Sequence, residues 1–240
     1  MQVIDHNGGV VSVLFTRSAD DNFIASPQII ELAETLDGVI GRNGLRAVVV
    51  AGEGAHFCNG RVGAKGLTQA ADIRDDLGLI LEANKRLRES PVPFVAAVEG
   101  HAFGFGCGFA TQCDITIAAA DAAFALPEMS HQLPPLVVLS YFGKFLPFKK
   151  AFEIALTSRE FEAAEARDIG IVTEVVPRGT AMTRALEFAR MIGELDAESV
   201  RLLRRFARQV AGLADEDDAR RGIDAMSIAI AARGQAKRAL

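Results

Sequence analysis

The strongest constraint on this chain is the order in its N-terminal half, where short apolar runs alternate with helical stretches. Val10–Phe15 is rich in β-branched residues and ends at a polar turn, Thr16–Asn22. Pro27–Leu36 then spaces Ile29, Ile30, Ala33 and Leu36 along one helical face, with Pro27 at its start. Leu45–Ala51 is a second short apolar run, closed by Gly52 and Gly54. After a glycine-punctuated loop, His56–Ala64, an amphipathic period continues to about Arg88 and stops before Pro91 and Pro93. Phe94–Val98, Asp114–Ala118 and Ala123–Leu126 read as three further strands. This alternation predicts a layered α/β core. From Leu136 the pattern turns helical, with segments Thr180–Gly193, Ala197–Gly212 and Asp217 onward, relieved by one strand at Ile171–Val176. The reading divides the chain into a core at 1–147 and a helical C-terminal region at 148–240.

Composition narrows the function classes. With 240 residues, half of them hydrophobic, the chain can bury a sizeable core and is not disordered in bulk. No apolar stretch approaches the ~18 residues of a membrane helix; Ile115–Leu126 comes nearest and Asp121 breaks it. The N-terminus lacks the basic and apolar regions of a signal peptide. A net charge of −5 without a dense basic run argues against nucleic acid as a partner. Cys58, Cys107 and Cys113 are odd in number and form no CxxC, which fits reduced thiols in a cytoplasmic protein.

Several motifs carry chemistry only in part. Gly104-Phe-Gly-Cys-Gly108 follows a strand and opens a helix, but Phe109 breaks the dinucleotide fingerprint and no phosphate-loop lysine follows. What remains is a glycine-rich turn whose exposed N–H groups suit a developing negative charge, or a close-packing turn. His56-Phe-Cys58 is half a zinc deaminase signature without the glutamate or the second cysteine pair, and the other histidines are scattered, so no metal site is expected. No GxSxG elbow exists, and Ser130 beside His131 is no triad. Glu128 ends the apolar run Ala123–Leu126 and precedes a sparsely charged stretch, so partial desolvation would raise its pKa toward that of a useful base. Arg17, Arg61 and Lys65 are basic residues within reach of a phosphate-bearing ligand, or solvated surface groups.

Taken in order, Ala55-His-Phe-Cys-Asn-Gly-Arg61, Pro93 through Gly108, Cys113-Asp114-Ile115, Phe124-Ala-Leu-Pro-Glu128, Ala151–Thr157 and Gly170–Pro177 resemble the enoyl-CoA hydratase/isomerase (crotonase) family. The resemblance covers about residues 10 to 235 and implies a spiral of ββα units with a C-terminal helical trimerisation region. It further implies an acyl-CoA thioester substrate, with coenzyme A as part of the substrate and no other cofactor, and a homotrimer or dimer of trimers. It places the two backbone N–H groups of an oxyanion hole at Arg61 and Phe105. Arg17, Cys58, Asn59, Gly60, Arg61, Lys65 and Gly104 are then the residues expected around the bound thioester.

The chain departs from the family at its acids. Where hydratases carry a first glutamate it has Gly108, while Glu128 matches the second. Adding water takes two carboxylates; shifting a double bond needs one, to take a proton from C2 and return it at C4. The acid pattern is therefore similar to that of Δ3,Δ2-enoyl-CoA isomerases, as is Leu133-Pro-Pro-Leu136 in place of a glycine-rich stretch. The sequence also lacks the family's Lys- and Phe-containing tail. Two other readings stand beside isomerisation: a hydratase with His131 as substitute acid, and a non-catalytic acyl-CoA binder. On this pattern, a glutamate at position 108 is expected to add or raise hydratase activity, provided that position faces Glu128 across the pocket, and to cost stability in a site packed around no side chain.

Overall fold

A computed structural model describes residues 1–63, 66–213 and 217–236. Strands β1 (Gln2–Asp5), β2 (Val10–Phe15) and β3 (Ala47–Gly52) open the chain, with helix α1 (Ser26–Ile40) between the last two. Helix α2 (Ala70–Glu89), strands β4 (Phe94–Val98) and β5 (His101–Phe103), helix α3 (Phe105–Gln112), and strands β6 (Ile115–Ala119) and β7 (Ala123–Ala125) follow. A 3-10 turn, Pro127–His131, leads into α4 (Leu136–Phe145), α5 (Phe148–Thr157), β8 (Phe161–Glu162), α6 (Ala163–Asp168) and β9 (Glu174–Val176). Helices α7 (Ala181–Glu194), α8 (Ala197–Val210) and α9 (Asp217–Ala236) complete the chain.

Two sheets stack along this path. The larger runs β1-β2-β3-β4-β6-β9, parallel from β2 onward, and the smaller runs β5-β7-β8. Each turn of the spiral lays a strand in the large sheet, steps across to the small one, and returns through a helix or helical turn. β4, β5 and α3 form one such unit, and the isolated parallel bridge Cys58↔Ala102 carries the previous turn into the same layer. Both faces of the large sheet are covered, which is why its strands read as continuous apolar runs. Val48 and Val50 face the main core, while Ala47, Val49 and Ala51 meet Ala181, Ala185, Ala189 and Ile192 of α7.

The spiral of ββα units is present, and helices dominate the C-terminal region. Several details differ from the sequence reading. The strand expected at Ile171–Val176 shortens to β9, because the Ile171 and Val172 N–H groups both donate to the Ala166 carbonyl and close off α6. Strands β1, β5 and β8 have no counterpart in the sequence reading, because at four, three and two residues they are too short for a clear alternation.

A buried ionic cluster pins α8 to the core. Arg204 Nε donates to Asp114 Oδ2 at 2.8 Å and an Arg208 terminal nitrogen to Asp114 Oδ1 at 2.9 Å. The same carboxylate accepts the Phe94 N–H at 2.9 Å, and Arg204 also donates to the Leu87 and Ser90 carbonyls. Asp114 is therefore a structural anchor. Helix α9 packs against α2 and α4 and thereby reaches the site described next. Among the described residues, no helix is long and apolar enough to cross a membrane.

Candidate active site

The site grows from two chain crossings. The Cys58 N–H donates to the His101 carbonyl (3.0 Å) and the Phe103 N–H to the Cys58 carbonyl (2.9 Å), which seats the Cys58–Arg61 loop along β5. On its other side, Ile24 N–H donates to the Gly60 carbonyl and Val62 N–H to the Ile24 carbonyl. The Gly104 N–H donates to the Ala125 carbonyl at 2.9 Å, tying the start of α3 to the end of β7. Pro127 then turns the chain so that Glu128 comes back over Gly104.

Gly104 shows how close this approach is. Its φ of +49° suits glycine, and a Cβ there would stand 3.1 Å from Glu128 Oε1 and 3.8 Å from the Gly60 Cα. The structure thus brings Gly60–Arg61, Gly104–Phe105 and Glu128 together, although 67 positions of sequence separate the outermost two. Among the described residues, neither the Arg61 nor the Phe105 N–H meets an acceptor. That leaves two adjacent free donors, one of them at the first residue of a helix, beside a single carboxylate.

Glu128 is half-buried as a residue, but its Oε2 is shut off from solvent and has no hydrogen-bond partner. Burial pushes its carboxyl up to about 7, against a small opposing pull from its own backbone N–H. The sequence reading anticipated that direction. A carboxylate of this kind exchanges protons readily near neutrality.

These groups share a cavity of about 340 Å³, a size ordinary for a small-molecule site. Asn59, Gly60, Arg61, Gly104, Phe105 and Glu128 line it, as does His131, which sits on the same 3-10 turn as Glu128. Most of the remaining wall is apolar: Leu77 and Ile80 from α2, Val137 and Val138 from α4, Met226 and Ile230 from α9.

Two expected residues sit elsewhere, and a third lies outside the described residues. Cys58 is fully buried beneath the loop and is absent from the cavity wall; burial raises its thiol to about 12, so its contribution is backbone pairing. Arg17 pairs with Asp20 and lines an adjoining open cleft that shares Phe23 with the cavity. Lys65 lies outside the described residues. Asn59 does line the cavity, yet its side chain is engaged by the Asp21 carbonyl and His101 Nδ1.

Two lining groups were not anticipated. Asp76 of α2 is a second carboxylate in the cavity, held in an ion pair by the Arg61 guanidinium and hydrogen-bonded by Ser26. Tyr141 of α4 also lines the cavity, and a Cβ at 108 would run into its hydroxyl oxygen. A glutamate at 108 therefore cannot enter without displacing the Tyr141 hydroxyl, which is the packing cost expected for that substitution. The chain has only one tyrosine, set in an apolar helix, and that was the available signal.

Comparison with known proteins points to one family. The family profile for enoyl-CoA hydratase/isomerase matches residues 5–227. Enoyl-CoA hydratase EchA19 of Mycobacterium tuberculosis is 28% identical over 213 residues, covering 86% of this chain and 80% of that protein. A solved enoyl-CoA hydratase/isomerase from Xanthobacter autotrophicus superposes with a TM-score of 0.86 at 25% identity, covering 96% of this chain and 87% of that one. A monofunctional enoyl-CoA isomerase from M. smegmatis does so with a TM-score of 0.74 at 26% identity, covering 91% and 96%. With its ββα spiral, paired free amides and family-wide match, this chain belongs to the enoyl-CoA hydratase/isomerase (crotonase) family.

Proposed function

We propose that the protein isomerises the double bond of an enoyl-CoA thioester, with Glu128 as the only proton shuttle. The thioester carbonyl oxygen would accept from the Arg61 and Phe105 N–H groups. Glu128, as carboxylate, takes a proton from C2, and the electron pair of that C–H bond moves into an enolate whose oxygen the two amides stabilise. The protonated Glu128 then delivers the same proton to C4 as the carbonyl re-forms and the double bond settles between C2 and C3. Atoms and electrons balance without an added reactant.

The single observation that carries this reading is one unpaired, raised-pKa carboxylate beside two free amides, in a cavity whose other carboxylate is already paired with Arg61. Water addition requires a second acid-base group, and Gly108 supplies none. Coenzyme A is part of the substrate here; Arg17, expected near its charged end, lies in the adjoining cleft beside Asp20 and Asp21 and is paired with the former. A hydratase remains the alternative because His131 lines the cavity beside Glu128. Parallel assays of 3-enoyl-CoA isomerisation and 2-enoyl-CoA hydration on purified protein separate the two. An isothermal titration with no acyl-CoA binding at millimolar ligand would end both.

A homotrimer or dimer of trimers belongs to the same proposal. Phe148, Phe152 and Leu156 form an exposed apolar stripe on α5, and Leu203, Phe206 and Val210 another on α8, with Phe148 at 76% and Val210 at 71% exposure. Light scattering should report a trimer or hexamer; a monomer would refute this. Three buried free thiols suit the proposed cytoplasmic location.

A further inference from the structure

The position that distinguishes this site is filled from an unexpected direction. Tyr141 is buried and lines the cavity together with Glu128, and its hydroxyl oxygen occupies the space into which a side chain at 108 would project. Val138, one turn earlier on α4, closes the same space from the side, 3.2 Å from where a Cβ at 108 would stand. Behind the phenol are Asn84 of α2 and Gln112 of α3, both buried. They are near enough to act on the hydroxyl, although the Asn84 amide and Gln112 Nε2 stop short of hydrogen-bonding geometry. The phenol stays neutral: burial, with Cys107 and Glu128 acting the same way, pushes its pKa far above the ordinary range.

We propose that Tyr141 is a specificity-determining residue, whose hydroxyl holds the place beside Gly108 where a second acid-base group would stand and so keeps the site from adding water. This rests on the isomerase reading above. Hydration forms a C3–O bond as an O–H bond of water breaks, and a proton is delivered to C2; with Glu128 serving one of these two transfers, a second group is needed for the other. A neutral phenol with a raised pKa is a poor acceptor, and its bulk excludes a carboxylate grown from position 108. Proton transfer between C2 and C4 needs neither the water nor the acceptor, so Glu128 can act alone.

The test compares Gly108→Glu with the double variant Gly108→Glu/Tyr141→Ala, using crotonyl-CoA for hydration and 3-hexenoyl-CoA for isomerisation. The double variant should raise hydration by about 10²-fold or more over wild type, the usual contribution of an acid-base group. Gly108→Glu alone should not. Equal hydration by the single and double variants would overturn the proposal, as would a double variant that binds acyl-CoA and isomerises but does not hydrate. Should the double variant fail to fold, thermal melts of Gly108→Ala in the Tyr141 and Tyr141→Phe backgrounds decide the packing claim. The alanine should lower Tm markedly beside tyrosine and less beside phenylalanine, and equal losses would refute it. Wild type inactive on 3-hexenoyl-CoA would sink the isomerase reading, while the hydration comparison would still decide the role of Tyr141.

Discussion

Replacing Glu128 by glutamine should inactivate the enzyme and, at alkaline pH, make it more stable. The amide keeps the shape of the carboxyl but can neither take nor return a proton, so turnover should fall by about 10²–10⁴-fold. Acyl-CoA binding should persist, because the Arg61 and Phe105 amides are untouched. The stability effect follows from linkage. The carboxyl titrates at about 7 in the fold against an ordinary value near 4.5. Below pH 4.5 it is protonated in both folded and unfolded chains and contributes no pH dependence. As pH rises toward 7 the unfolded chain ionises first, so the wild type progressively loses stability, by about 3 kcal/mol once the folded carboxyl is also charged. Glutamine removes that loss. Urea unfolding of both proteins at pH 5 and pH 8, at one protein concentration, should show the variant gaining about 2–3 kcal/mol relative to wild type between the two. A stability difference that does not change with pH would refute the buried-carboxylate account, and retained turnover would refute the shuttle.

Three further outcomes follow from the same structure. The isomerase kcat/KM should rise with pH through about 7 and then level, since Glu128 must be ionised to take the C2 proton; a profile flat from pH 5 to 8 would contradict this. Asp114→Ala strands the buried Arg204 and Arg208 without their shared carboxylate, so chemical denaturation should show a loss of about 3–5 kcal/mol; a loss below 1 would mean the cluster is not the anchor of α8. Cys58, Cys107 and Cys113 are all buried with thiols pushed upward, so a native thiol titration should find none reactive and a denatured one all three.

Much of this site was legible because it is made by local sequence. Gly104-Phe105 reads as a strand-to-helix turn, and Glu128 reads as an acid at the mouth of an apolar strand; both are properties of adjacent residues. The layered core was legible for a related reason: strands buried on both faces leave unbroken apolar runs. What stayed hidden depends on packing between distant helices. Asp76 falls on the same side of α2 as Ile73, Leu77 and Ile80, but nothing near it in sequence shows that Arg61 will reach it. Met226 and Ile230 become part of the cavity only because α9 folds back across α2 and α4. Tyr141 lies 33 positions beyond Gly108, and their contact is set by how α4 seats on α3. Cys58 illustrates the converse, since its place in a recognisable motif reflects backbone pairing under the loop and not contact with substrate.

The central claim is that one carboxylate, Glu128, moves one proton between two carbons. The most direct measurement supplies wild-type protein with 3-hexenoyl-CoA and with crotonyl-CoA, under the same conditions, and compares the two rates. The account predicts conversion of the first to 2-hexenoyl-CoA, and hydration of the second at least about 10²-fold slower, for want of the second acid-base group. Hydration as fast as isomerisation, or isomerisation that survives Glu128→Gln, would contradict it.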